Sequence, residues 1–159
     1  MQVQITKKTD GSGVLRCVRA DGSATWQKQT DRHAAYFSLH DLTHFAVETT
    51  LGYRRGFFGL IAEGWEIEDT TGKGARGPLP PEAGEVECTV GLFSAERAGG
   101  VIWTVDEFNE FAATTGARKL TFDEIVRVKK KRSELFQQWS AVAPGATLEL
   151  QFDTAAVPK

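Results

Sequence analysis

Thr147-Leu148-Glu149-Leu150-Gln151-Phe152-Asp153 alternates strictly between apolar and polar residues once past its threonine. On a strand, successive side chains point to opposite sides. Leu148, Leu150 and Phe152 therefore share one face, and Glu149, Gln151 and Asp153 the other. One buried and one wet face is the pattern of an antiparallel sheet backed by helices. The N-terminus supplies partner strands. Met1-Gln2-Val3-Gln4-Ile5 alternates in the same way, Val14 to Arg19 favours β structure, and Ala24 to Lys28 carries Trp26. Asp10-Gly11 and Asp21-Gly22 separate these runs, and both residue types tolerate the positive φ of a tight turn.

Between the meander and the last strand the period changes. Ser38 to Gly52 reads as a helix, with Ser38 as cap, Asp41 three residues on, and Gly52 just past the end. Phe57 to Trp65 reads as a short helix, and residues 69 to 81, rich in glycine and proline, as a loop. Ala83, Val86, Val90 and Phe93 recur at helical steps over Pro81 to Arg97, although Gly84 and Gly91 weaken that helix and leave a strand at Glu85 to Phe93 as the alternative. Thr104/Glu107 and Thr121/Glu124 are two capping boxes, opening helices that run to Thr115 and to about Ala141. The expected fold class is α+β: an N-terminal antiparallel β-meander joined by the C-terminal strand, with four to five helices packed on one face. The 159 residues show no repeat, second core or linker, so 1–159 reads as a single domain.

Composition narrows the function classes. A net charge of −2 argues against a protein whose main task is nucleic-acid binding, which needs a basic face. Arg127, Lys129, Lys130, Lys131 and Arg132 form the basic cluster. Arg127, Lys130 and Lys131 fall on the solvated side of their helix. Arg132 lies within the apolar stripe and Lys129 at its edge, where they either snorkel or contact an anion inside a pocket. Cys17 and Cys88 lack metal or nucleophile spacing and read as small buried hydrophobes. The opening residues lack the features of a signal peptide, and the longest apolar run, Phe57 to Ala62, is too short to span a bilayer. The expected location is the cytoplasm, with no membrane association. Gly72-Lys73-Gly74 fails the Walker pattern, and no serine sits in a GxSxG elbow.

The chemistry-bearing residues gather elsewhere. His33, His40 and His44 are all the histidines in the chain. His40 and His44 are four residues apart, one turn on the same helix face, and can chelate one divalent ion such as zinc. Glu48 extends the stripe by another turn. On the wheel, Leu39, Leu42, Phe45, Ala46 and Thr49 gather on one side, and His40, His44 and Glu48 nearly opposite. Val47 and Leu51 flank the histidines, which predicts a partly covered polar face beside a cleft.

His40-Asp41-Leu42-Thr43-His44 resembles the zincin motif HExxH over five residues, with aspartate in place of the glutamate. The resemblance implies that His40 and His44 ligate the metal and that Asp41, one methylene shorter, is the general base. Glu48 and His33 are the candidates for third ligand. Since no complete catalytic set is visible, the expectation is a non-catalytic domain that binds a partner protein or small ligand beside the histidine helix, with a divalent-metal site. The alternative is a metal-dependent hydrolase.

Overall fold

A computed structural model describes residues 1–29 and 33–153. Strands β1 (Gln2–Lys7), β2 (Gly13–Val18), β3 (Ala24–Lys28) and β4 (Thr147–Gln151) form one antiparallel sheet in the order β3-β2-β1-β4. The C-terminal strand joins the N-terminal meander, as the alternation predicts. Ile5 lies opposite Leu15 on one neighbour and Leu148 on the other; Val3 lies opposite Cys17 and Leu150. This register collects the apolar side chains on one face, where Val3, Ile5, Leu15 and Cys17 are fully buried. The other face is polar. Gln4 Nε2 donates to Glu149 Oε1 at 3.0 Å, and Arg16 Nη1 donates to Gln4 Oε1 at 2.8 Å.

The helices α1 (Ala34–Leu51), α2 (Phe57–Ala62), α3 (Pro81–Gly99), α4 (Val105–Thr115) and α5 (Phe122–Ala141) all fall between β3 and β4. A 3-10 turn covers Ile67–Thr71. Both expected capping boxes are present. Thr104 Oγ1 accepts from Glu107 N, Thr121 Oγ1 accepts from Glu124 N, and each glutamate accepts in return from its threonine's N–H. Pro81 stands at the start of α3, where its missing N–H costs nothing. The strand alternative for this segment is thereby set aside.

Helix α1 is sandwiched. Leu42, Phe45 and Ala46 pack with Val3, Ile5, Leu15 and Cys17 in a cluster that also takes in Phe58, Leu135, Trp139 and Phe152. Val47 belongs to a second cluster, with Val86, Val90, Phe93, Phe108, Ala112, Ile125 and Val128. The buried side chains thus form layers on both sides of α1, which has apolar residues on two faces. Each fully buried Leu, Val or Phe stabilises by about 1.5–3 kcal/mol, so both clusters matter to the fold.

Two boundaries differ from expectation by three residues or more. Helix α1 begins at Ala34, and Ser38 is not its cap but a buried residue donating to Gln29 Oε1 at 3.0 Å. Helix α2 stops at Ala62, short of Trp65, because Gly64 takes a φ of 103° that a right-handed helix cannot accommodate. Among the described residues, no helix is long and apolar enough to cross a membrane.

Candidate metal centre

Helix α1 places His40 and His44 one turn apart, with ring centroids 4.8 Å from each other and planes at 79°. Helix α3 crosses beside them and brings Glu87 to the same point. His44 Nε2 lies 3.2 Å from Glu87 Oε1. One ligand atom from each of His40, His44 and Glu87 falls within 4.8 Å of the other two. Donors around a tetrahedral zinc at its usual bond lengths stand about 3.3 Å apart. Glu87, with half its side chain exposed, has room to move.

His44 is oriented from behind. Its Nδ1 faces Glu48 Oε1 at 3.3 Å, and both side chains are buried. A carboxylate holding the far nitrogen of a ligating imidazole fixes its tautomer and raises its basicity, an arrangement general to metal-bound histidine. Burial by itself lowers the His44 pKa, but the hydrogen bonds and charges of Glu48 and Glu87 outweigh it and hold the imidazole up to about 9. At neutral pH the metal-free His44 is therefore protonated and donates to both glutamates, and a metal would have to displace the proton that Nε2 shares with Glu87. Burial raises Glu87, yet its hydrogen bond to His44 and that ring's charge bring its pKa below the ordinary carboxylate value. His40 goes the other way. Burial, then the charge on His44, pushes it down to about 4, so this ring is neutral and ready to ligate. Its Nδ1 is buried with no hydrogen-bond partner among the described residues. A buried polar atom left unpaired is uncommon and calls for a reason.

Of the residues expected at the site, His40 and His44 come together and the others do not. Glu48 turns to the backbone of α2. Its Oε1 accepts from Phe58 N at 3.2 Å and its Oε2 from Gly59 N at 3.1 Å. Helix α2 has no side-chain cap of its own, and its cap residue is Gly56, so Glu48 supplies that cap from a distance. Glu48 reaches the candidate centre only through His44. It does not pair with Arg54 or Arg55; Arg55 pairs with Glu63. His33 is exposed at the start of α1 and stands outside the cluster.

Asp41 points away from the cavity as well. Its Oδ2 accepts from Gln29 Nε2 at 2.8 Å in the interior. Burial drives its carboxyl up to about 7, against the lowering effects of His44 and Gln29. Sequence reasoning missed Glu87. It lies on α3, next to the Val86–Val90 stripe, and no spacing rule links it to α1. A gap in the α1 ligand set was the only available signal.

The cluster opens onto a cavity of about 390 Å³, between α1, α3 and α5. Tyr36, Leu39, His40 and Thr43 line it from α1. These positions form a stripe rotated from the expected 40/44/48 face, because α2 and α3 cover Glu48 and His44. No known protein family matches the chain, and neither curated proteins nor solved structures include a similar one.

Proposed function

We propose that this protein binds a first-row divalent metal, zinc by preference, through His40, His44 and Glu87, and that the metal holds a small ligand in the adjoining cavity. The observation that carries this reading is the convergence of those three donors from two helices at the cavity edge. Two imidazoles and one carboxylate suit zinc and its neighbours better than calcium or magnesium, which take oxygen donors. A three-donor set would leave a coordination position free for a ligand, and two of the donors, His40 and Glu87, line the cavity.

Binding is favoured over hydrolysis because the zincin-like base is misplaced for it. Asp41 is held by Gln29 and does not line the cavity. A general base has to reach the metal-bound water directly or through one bridging molecule.

The test uses untagged protein stripped with a chelator. Added zinc chloride is expected to raise the melting temperature, by linkage worth about 2.7 kcal/mol at a hundredfold excess over Kd. Glu87 is half exposed, so Glu87→Gln is expected to fold normally and to lose at least tenfold in zinc affinity. No zinc retained by elemental analysis, with no rise in melting temperature, would falsify the proposal. So would an E87Q variant that binds zinc as tightly as the parent.

A further inference from the structure

The cavity has a second end. Arg97, in the last turn of α3, and Arg132, on α5, line it together with Phe136. Their guanidinium carbons stand 5.1 Å and 5.9 Å from the Phe136 ring centre. Two cations are thus brought over one aromatic ring. Among the described residues, neither has a carboxylate within ion-pair distance. The nearest acid by fold position, Glu96, is already committed. Its Oε1 accepts from Lys129 Nζ at 2.5 Å and from Trp103 N at 2.9 Å.

Arg132 spends one N–H on Phe93 O at 2.6 Å, which fixes the head group. A guanidinium carries five donors in a planar fork, so most of its donors remain. Like charges placed together over a half-covered surface cost free energy. Burial lowers the Arg132 pKa; the charge of Glu96 opposes this, and that of Arg97 adds to it more weakly. An anion lying between the two arginines would relieve that cost.

The wall between the two ends is made of small residues. Gly91, Ser94 and Ala95 of α3 line the cavity between Glu87 and Arg97, and Ala98 lines it just beyond. A Cβ added at Gly91 would meet nothing within 4 Å. In a helix, glycine costs roughly 1 kcal/mol relative to alanine. Here that cost is accepted although no packing neighbour requires it, and the result is an open slot running from histidines to arginines.

From this juxtaposition we infer that the cavity takes a small molecule bearing an anionic oxygen group, carboxylate or phosphate, that is clamped by Arg97 and Arg132 while its far end faces His40 and Glu87. The inference rests on the same cavity as the proposed function but not on the metal. Arginine forks match both oxyanions in bidentate geometry. The volume lies within the range of small-molecule sites, about 300–1,000 Å³.

Calorimetric titration at low salt, with the intact protein, tests it. The probes are inorganic phosphate and succinate, each added to the metal-free and to the zinc-treated protein. Saturable binding of at least one probe is expected. Arg97→Gln should weaken it about tenfold, and Lys130→Gln, an exposed charge elsewhere on α5, should not. Gly91→Phe, which fills the slot from a position with free space, should also reduce binding while leaving the melting temperature near that of the parent. Phosphate binding alone identifies a phosphate ligand, and succinate binding alone a carboxylate one. Anion binding without zinc uptake would sink the metal reading and keep this one. Zinc uptake with neither anion bound at millimolar concentration would do the reverse. Equal losses in R97Q and K130Q would show general surface attraction and overturn the clamp.

Discussion

Helices α1 and α5 pack against each other and are of similar length, 18 and 20 residues, but they satisfy their polar groups in opposite ways. Helix α5 settles its first turn locally, and only the ends of long side chains, Lys129 and Arg132, reach across to α3. Thr121 and Glu124 cap its first turn, and Ile125, Val128, Leu135 and Trp139 form the buried stripe. Helix α1 has no side-chain cap, and every residue from Asp41 to Glu48 is buried. Four of those eight are polar; Thr43 donates to Leu39 O within the helix, but the other three take partners from distant segments. Asp41 meets Gln29, Glu48 meets the N–H groups of Phe58 and Gly59, and His44 meets Glu87. A surface helix can be understood from its own sequence. A central helix with buried polar residues is held by whatever the rest of the chain delivers to it.

The sharpest break of this comparison is Glu48→Ala. It strands two buried N–H donors and leaves the His44 ring without the carboxylate behind it. Removing one partner of a buried charged network costs about 3–5 kcal/mol. Urea denaturation of the metal-free protein is expected to show a loss of that size. Glu48→Gln, which keeps an acceptor oxygen, should lose less. A loss below about 1 kcal/mol, the range of an exposed pair, would mean that α2 does not depend on this cap.

What could be read in advance follows the same division. The sheet was legible because alternation in 147–153 and 1–5 leaves one choice of inward face. The two capped helices were legible because their signals sit three residues apart. Two of the three donors of the candidate centre were legible too, since His40 and His44 obey helical spacing. Glu48 obeys the same spacing and was misplaced by it. A side chain long enough to reach past its own helix can serve backbone groups that a wheel does not contain. A hint lay in Gly56-Phe57-Phe58-Gly59, a short helix with no capping residue of its own, which needs an acceptor from elsewhere. Glu87 and Arg97 were invisible as site residues because only packing of α3 across α1 gives them meaning.

On α5 the expected effects are smaller. Thr121→Ala removes the cap acceptor at Glu124 N. The loss should be about 1 kcal/mol, the usual worth of such a cap. Thermal unfolding measures it, and zinc affinity should not change. A stability loss matching that of E48A would erase the distinction drawn between the two helices.

The smallest effect is one of pH. The hydrogen bond from Arg118 Nη2 to Glu124 Oε1, at 2.8 Å, outweighs the opposing effect of burial and, with the Thr121 cap, holds the Glu124 pKa down to about 2, against an ordinary 4.5. A carboxylate whose pKa is lower folded than unfolded stabilises the fold above its unfolded value. That contribution is complete above about 4.5 and is lost as the pH falls through about 2. Glu124 is only partly covered, so solvent screening reduces the benefit to roughly 0.2–1 kcal/mol. Arg118→Gln should therefore lower stability slightly at pH 7 and leave it nearly unchanged at pH 2, with the difference between parent and variant closing across that window. A difference that instead persists at pH 2 would assign the role of Arg118 to its stacking on Tyr53, where its guanidinium carbon lies 5.8 Å from the ring centre. The local account of this helix end would then be incomplete.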